Sequence, residues 1–328
     1  MNASAAAQIP AEHLLRITTL NINHTPDELE RRTGLACDEL GVLRPQVLCL
    51  QEATFNPDGT SAQLDTITAA TGLAVATAAG QAVSKHGTVT GNAILTSLPV
   101  LEAGPIALGT PGVLLPAADY AVLKAPTGQT LIVVSAHLCW GGDKEGVRLA
   151  QATAIDGRVR ALLERYEDRS PVALLAGDFN SMPGSDTHRY LTGLGAGSNG
   201  GYTYWTEAFA VAGQPGEATT VAAGNYWAQA TARGVGIEFP DLLPDRQIDF
   251  VYTYGWAYGR AGCPVSVRRS FTDTTRYGFP ASDHYGLTVD CWTPPVPGAE
   301  VLAAAGHDKA APTGQLAIIT PDQEPVLV

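Results

Sequence analysis

Residues 172–180 read VALLAGDFN, and the reading of this run decides the fold. Five apolar residues, Val172 to Ala176, predict a buried strand that stops at Gly177. The strand hands over Asp178 and Asn180. An acid and an amide two positions apart at a strand's C-terminal end point the same way out of the sheet. Such a pair can bind a metal, hold a water or grip a phosphate oxygen. Taken alone, the run is equally well an Asx turn, and the rest of the chain decides between the two.

The same ending recurs. LRITTLNIN, around residues 14–23, reads as a strand closing on Asn21 and Asn23, and QVLCLQE (46–52) closes on Gln51-Glu52. TLIVVSAHL (130–138), a hairpin strand by pattern, closes on Ser135-Ala136-His137. Asp249 sits among apolar residues in QIDFVYTYG (247–255), and Ser282-Asp283-His284 leads into HYGLTVDCW (284–292). Each has a plain structural explanation: a solvated end for Glu52, a satisfied core imidazole for His137, an ion pair with Arg246 for Asp249, turns for Asn21 and Asn23. A single active site on one edge of a sheet explains all of them together.

Between the strands lie helices. Thr25 and Pro26 fit an N-cap and first helical position for a helix running to about Leu43. SAQLDTITAATG (61–72) reads as an amphipathic helix ended by Gly72, and 146–165 as a helix with Ile155, Val159, Leu162, Leu163 and Tyr166 on one face. A short helix is expected at 186–194. LAVATAA, GNAILTS (91–97) and YAVLKAP are further strand candidates. Residues 195–240 are Gly-rich and studded with Trp205, Phe209, Tyr226, Trp227 and Phe239. They read as long loops flanking the site, whose rings can pack a base, a sugar or an apolar group. Past Pro294 a Pro/Ala/Gly-rich tail is expected, with one strand at GQLAIIT. The alternation of strands and helices, with hairpins, gives a mixed α/β protein. No GxGxxG follows a strand, which excludes a Rossmann dinucleotide site.

The chain has 328 residues, 45% hydrophobic and 16% charged, and a net charge of −12. An acidic surface repels polyphosphate backbones unless a local basic patch or a bound cation intervenes. Cys37, Cys49, Cys139, Cys263 and Cys291 form no CxxC pair, so there is no zinc motif. The odd count and the lack of a secretion signal at the N-terminus suggest the cytoplasm. No apolar run approaches the length of a membrane span. A monomer is expected.

The residue types define a chemistry. A hard cation such as Mg²⁺ takes oxygen ligands, which Glu52 and Asn23 supply. A histidine beside a carboxylate is a general base, which fits His284 with Asp249. Asp178 suits positioning or deprotonating a water, and Asn180 suits a phosphate oxygen. With no GxSxG nucleophile motif, direct water attack on phosphorus is the expected reaction.

Taken in order, LNIN, LQE, GNAILTS, SAHL, GDFN, IDFVY and SDHYG resemble the endonuclease/exonuclease/phosphatase (DNase I-like) superfamily over about residues 14–292. The resemblance implies a four-layer sandwich of two mixed sheets with helices outside. It sets off 1–13 as an N-terminal extension and 293–328 as a tail. It implies a Mg²⁺- or Mn²⁺-dependent phosphoesterase, with Glu52 the main metal ligand, Asn23 in the metal shell and Asp283 supporting the metal or the water. His284 is then the base oriented by Asp249. Asn21 and Asn180 hold phosphate or orient Asp178, His137 lies near the scissile phosphate, and Asn92 lines the site. Many members carry an acid or Gly where Asn23 stands, and Ser-Arg where this chain has Thr96-Ser97. With no Lys/Arg stripe, a small or lipid-like phosphoester is expected over DNA or RNA. A non-catalytic binding protein on the same scaffold is the remaining alternative, disfavoured because every matched position holds a competent residue.

Overall fold

The computed structural model describes residues 9–83, 87–108, 117–214 and 216–297. Its strands are β1 (Leu14–Asn21), β2 (Val47–Phe55), β3 (Ala74–Val83), β4 (Val89–Thr96), β5 (Val100–Pro105), β6 (Ala117–Lys124), β7 (Thr130–His137), β8 (Pro171–Asp178), β9 (Trp205–Glu207), β10 (Asp249–Tyr254), β11 (Pro264–Ser270) and β12 (Gly286–Trp292). They form two six-stranded sheets, ordered β11-β12-β1-β2-β4-β3 and β5-β6-β7-β8-β10-β9. Each sheet has a parallel pair at its centre, β1–β2 in one and β7–β8 in the other, with antiparallel neighbours outside.

The period of two along the strands sorts the apolar residues into layers. Ile17, Val47, Cys49, Ile94, Leu131, Val133, Leu174, Val251 and Val289 belong to one core trapped between the sheets. Their neighbours Leu20, Leu48, Leu50 and Leu95 face outward onto α1 (Leu29–Leu43) and α2 (Ala62–Thr71). On the other sheet Val122, Ile132, Val134, Ala173 and Leu175 face α3 (Glu145–Arg165) and α4 (Asp186–Leu191). This is the expected four-layer sandwich.

The structure moves several expected boundaries. α1 begins at Leu29, behind Glu28 in a left-handed conformation with no side-chain cap. Thr25 and Pro26 therefore do not open it. Instead Arg32, fully buried, gathers the carbonyls of Ile22, Asn23, Thr25 and Asp27, which holds the chain in a loop. The helix at 186–194 stops at Leu191. The 195–240 stretch holds β9, α5 (Ala208–Ala212) and α6 (Tyr226–Gly234) rather than loops alone. Buried Asp156 on α3 ties it down, accepting from Thr203 Oγ1 and, at 2.9 Å, from Trp205 Nε1. The edge strands β5 and β11 were not anticipated. The GQLAIIT segment lies outside the described residues.

Candidate active site

The inward-facing series of each central strand turns polar at one end of the sandwich. Leu15 and Ile17 are followed by Asn21, Val47 and Cys49 by Gln51, Val133 by Ser135 and His137, Leu174 and Ala176 by Asp178, while Asp249 opens the inner face of β10. Register sets these residues side by side: Asn21 opposite Gln51, His137 opposite Asp178, and Asp178 opposite Asp249. Across the sheets, Gln51 Nε2 donates to Ser135 Oγ at 3.0 Å, and Asn92 Nδ2 donates to the Ser135 carbonyl at 3.0 Å.

Two backbone features aim the acids. Between Leu50 and Ala53 the β2–β4 register slips, a β-bulge, and Glu52 within it has φ 59°. Gly177 has φ 143°, and a Cβ there would meet the Ala136 carbonyl oxygen at 1.9 Å. Glycine is therefore required where β8 presses on β7 just before Asp178.

Asn21 sits at the centre. Its Nδ2 donates to Glu52 Oε1 at 3.1 Å and to Asp178 Oδ2 at 3.0 Å, bringing both carboxylates to one point. His137 Nε2 lies 3.5 Å from Asp178 Oδ2 and 3.9 Å from Glu52 Oε1. His284 Nδ1 is 2.9 Å from Asp249 Oδ2, and its Nε2 is 3.8 Å from Asp178 Oδ2. Arg246, the partner that a plain ion pair would have used, makes no such contact with Asp249. Asn180, at φ 49°, donates its backbone N–H to Asp178 Oδ1 at 2.8 Å and its Nδ2 to the Leu138 carbonyl at 3.0 Å. It thus orients Asp178.

The other expected residues fall nearby with different contacts. Asn23 Oδ1 accepts from Thr25 N–H at 2.9 Å, while its buried Nδ2 has no hydrogen-bond partner among the described residues. Asp283 accepts from Thr231 Oγ1 at 2.9 Å and from Ser282 Oγ at 3.2 Å. The residue set against Glu52 is His24, whose Nδ1 makes a short contact with Glu52 Oε2 and whose backbone N–H donates to the same oxygen. His24 was missed, although it directly follows Asn23 in the first polar strand end. Arg32 left no such signal, since a charged residue on a helix ordinarily reads as a solvated face.

The electrostatics divide the site. Burial works against the Glu52 charge. It is outweighed by the His24 hydrogen bond, by the charges of His24 and His137 and by the Asn21 amide, so the carboxyl titrates well below the usual range. Burial also opposes the His284 charge, but Asp249 and Asp178 overcome it and raise this imidazole well above its ordinary value. Asp249 is pushed up by burial, against the pull of His284, with Asp178 adding to the rise.

Ligand atoms of Asp178, Asp249 and His284 lie within 4.8 Å of one another, a grouping that could hold a metal ion. A second oxygen-rich position lies where Glu52 and Asp178 meet at Asn21. The two carboxylates at that second position suit a hard cation, which prefers oxygen ligands, while Asn21 turns its Nδ2 toward them and its Oδ1 to the Asn23 N–H. His284 is engaged by Asp249 and retains its proton more strongly than a free imidazole.

Carboxylates, histidines and amides thus gather at one end of the two sheets of a DNase I-like sandwich. The chain belongs to the Endonuclease/Exonuclease/phosphatase family, whose model matches residues 18–284; members of this family are hydrolases acting on phosphoester bonds. Among curated proteins, it is 36% identical over 72 residues to "Carbon catabolite repressor protein 4 homolog 4" of Arabidopsis thaliana, covering 21% of this chain and 17% of that protein. It is 35% identical over 66 residues to a probable CCR4-Not complex 3'-5'-exoribonuclease subunit Ccr4 of Vairimorpha ceranae, covering 20% and 13%. The match thus spans under a fifth of these relatives' length. Among solved structures, truncated Caenorhabditis elegans TDP2 superposes with a TM-score of 0.62 at 15% identity, covering 85% of this chain and 97% of that one. The human Nocturnin catalytic domain gives 0.60 at 17%, covering 87% and 97%. These likenesses concern the fold. Among the described residues no helix is long and apolar enough to cross a membrane.

Proposed function

We propose that this protein is a Mg²⁺- or Mn²⁺-dependent phosphoesterase that hydrolyses a small phosphoester by direct water attack. The observation that carries the reading is the convergence of Glu52 and Asp178 on the Asn21 amide, beside the His284–Asp249 pair. Glu52 is the anchor for the cation, with Asn23 and Asp283 in its surroundings. The pull of His24, His137 and Asn21 toward its ionised form suits that role, because a ligand must be deprotonated to bind. When bound, the cation neutralises charge on the phosphate oxygens and on the leaving oxygen.

The chain's own residues do the rest. Asp178, fixed by Asn21 and Asn180, orients the attacking water. In its neutral form His284, made a stronger acceptor by Asp249 and Asp178, accepts the proton released as the water oxygen bonds to phosphorus and the ester P–O bond breaks. Asp249 fixes the His284 tautomer and stabilises the imidazolium that forms. His137, Asn92 and the Asn180 region hold the phosphate as its charge redistributes.

A net charge of −12 supports a small substrate over a long polyanion. The second reading, a nuclease, is supported by the exoribonuclease named among the relatives. Chelation by EDTA should abolish hydrolysis and Mg²⁺ or Mn²⁺ should restore it; activity that survives chelation rules out the metal mechanism. A panel of plasmid, short RNA, nucleotides, sphingomyelin and inositol phosphates separates the two readings. Plasmid cleavage whose rate falls steeply with salt would favour the nuclease.

A further inference from the structure

The Glu52 carboxylate has a nitrogen on one side. Asn21 Nδ2 takes its Oε1 at 3.1 Å and leaves Oε2 to His24. Both the ring and the backbone of His24 turn to that oxygen: Nδ1 makes the short contact, and the backbone N–H donates at 3.1 Å. The side chains of His24 and Glu52 keep 17% and 16% of their surface open, so an ion can reach both. The negative charge of Asp283 also acts on His24.

The loop fixes this arrangement. Asn23 takes a left-handed conformation, φ 59°, where the chain turns out of β1. Its own polar groups are used within the loop: the backbone N–H donates to Asn21 Oδ1 at 3.1 Å, and Oδ1 accepts from Thr25 N–H. Arg32 then holds carbonyls on both sides of His24, those of Ile22 and Asn23 at 2.9 and 3.0 Å and that of Thr25 beyond it. The segment that presents the imidazole is thus fastened from both ends. The other imidazoles of the site are engaged differently. His137 Nε2 stands 3.9 Å from Glu52 Oε1, the oxygen that Asn21 takes, and His284 is held through Nδ1 by Asp249.

We infer that His24 is a metal-selecting residue: its Nδ1 joins Glu52 Oε2 on the cation, and the site therefore prefers Mn²⁺ to Mg²⁺. This rests on the metal-dependent reading above and narrows its cofactor. Mg²⁺ keeps its waters and takes carboxylate oxygens. An imidazole nitrogen beside a carboxylate favours first-row transition ions instead. On binding, the Nδ1 proton leaves to solvent and a metal–nitrogen bond takes its place. His24 is not among the residues that the family resemblance puts at the metal, and Asn23, which is, has its oxygen engaged by Thr25.

The test reads binding rather than turnover. Mn²⁺ and Mg²⁺ are titrated separately into the metal-free full chain by isothermal titration calorimetry. The Mn²⁺-loaded protein is then measured by electron spin-echo envelope modulation, which detects a directly bound imidazole nitrogen. Native protein, His24→Gln and His24→Ala are compared, each checked for folding by circular dichroism. The native protein should bind Mn²⁺ more tightly than Mg²⁺ and show nitrogen modulation. Both variants should lose the modulation and bind Mn²⁺ about tenfold more weakly or worse, the scale on which losing even a supporting partner weakens a metal site, with Mg²⁺ changed less. Native protein without nitrogen modulation, modulation that survives in folded His24→Gln, or an equal loss for both ions overturns the inference. If neither variant folds, His137→Gln and His284→Gln are measured instead. The modulation must then persist in both, and its loss from either gives the nitrogen to that residue and overturns the inference. Hydrolysis that EDTA abolishes, by a protein whose bound Mn²⁺ shows no nitrogen, removes the inference and keeps the phosphoesterase reading. Imidazole-bound Mn²⁺ without hydrolysis of any ester does the reverse, and a native protein that binds no Mn²⁺ removes both.

Discussion

His284, in the bend just before β12 of one sheet, and Asp249, which opens β10 of the other, are joined by a 2.9 Å contact between Nδ1 and Oδ2, with the histidine Nε2 left toward Asp178. The carboxylate therefore works through the imidazole, and the two substitutions should differ. His284→Ala removes the proton acceptor and should lower kcat by on the order of 10²–10⁴. Asp249→Asn keeps a side chain of the same shape but removes the charge. Its loss should appear in kcat with KM nearly unchanged. Steady-state kinetics on any hydrolysed ester checks both, and a near-normal kcat in folded His284→Ala would transfer the role to another group.

Glu52 is placed by a bulge and kept ionised by His24, His137 and Asn21. Glu52→Gln preserves the acceptor and loses the charge. The Mg²⁺ concentration for half-maximal activity should rise by about tenfold or more, the scale on which disturbing a metal site weakens binding. Titration of activity against Mg²⁺ measures it. An unchanged half-saturation would move the anchor to the Asp178, Asp249 and His284 group.

Much of this site was legible because strand periodicity carries chemistry as well as burial. Once Leu174 and Ala176 point inward, Asp178 must do so too, and the same step leads from Cys49 to Gln51 and from Val133 to His137. What was hidden depends on three-dimensional closure. Arg32 looks like a solvated helix residue until the loop at 22–27 folds over its guanidinium. The start of α1 was misplaced for the same reason, since Thr25 and Pro26 carry cap chemistry but their loop is held by Arg32. β9 has too few residues to show a period and is fixed by Asp156 from α3, while α6 opens on its own N-cap, Asn225, a start signal lost in the Gly-rich surroundings.

Gly177 gives a stability test independent of activity. Its φ of 143° strains any L side chain, and the added methyl would press on the Ala136 carbonyl of the central parallel pair. Strain of this kind is about 1–3 kcal/mol, with overpacking adding a similar amount. Gly177→Ala should therefore lower the unfolding free energy by about 3 kcal/mol or more in urea titration. A loss under about 1 kcal/mol would mean that β7 and β8 can part without consequence.

Asp119 offers a pH signature distinct from catalysis. It sits on β6, opposite Ser135 in register, fully buried, and accepts from Gln81 Nε2 at 3.2 Å, while its Oδ1 has no hydrogen-bond partner among the described residues. Burial pushes its carboxyl from 3.8 up to about 7, against the smaller opposing pull of the Gln81 hydrogen bond. The folded state thus holds a proton that the unfolded chain has released between about pH 4 and pH 7. Where the folded state binds more protons, stability falls as pH rises. The contribution is complete below the unfolded value, is lost through that window, and changes no further above it. The full loss is on the order of 4 kcal/mol. Asp119→Asn keeps the Gln81 contact and cannot ionise, so it should match the native protein near pH 4 and exceed its stability at pH 8. Urea unfolding of both proteins from pH 4 to pH 8 reads the difference directly. A difference that does not grow with pH would show that Asp119 finds compensation for its charge in the folded protein.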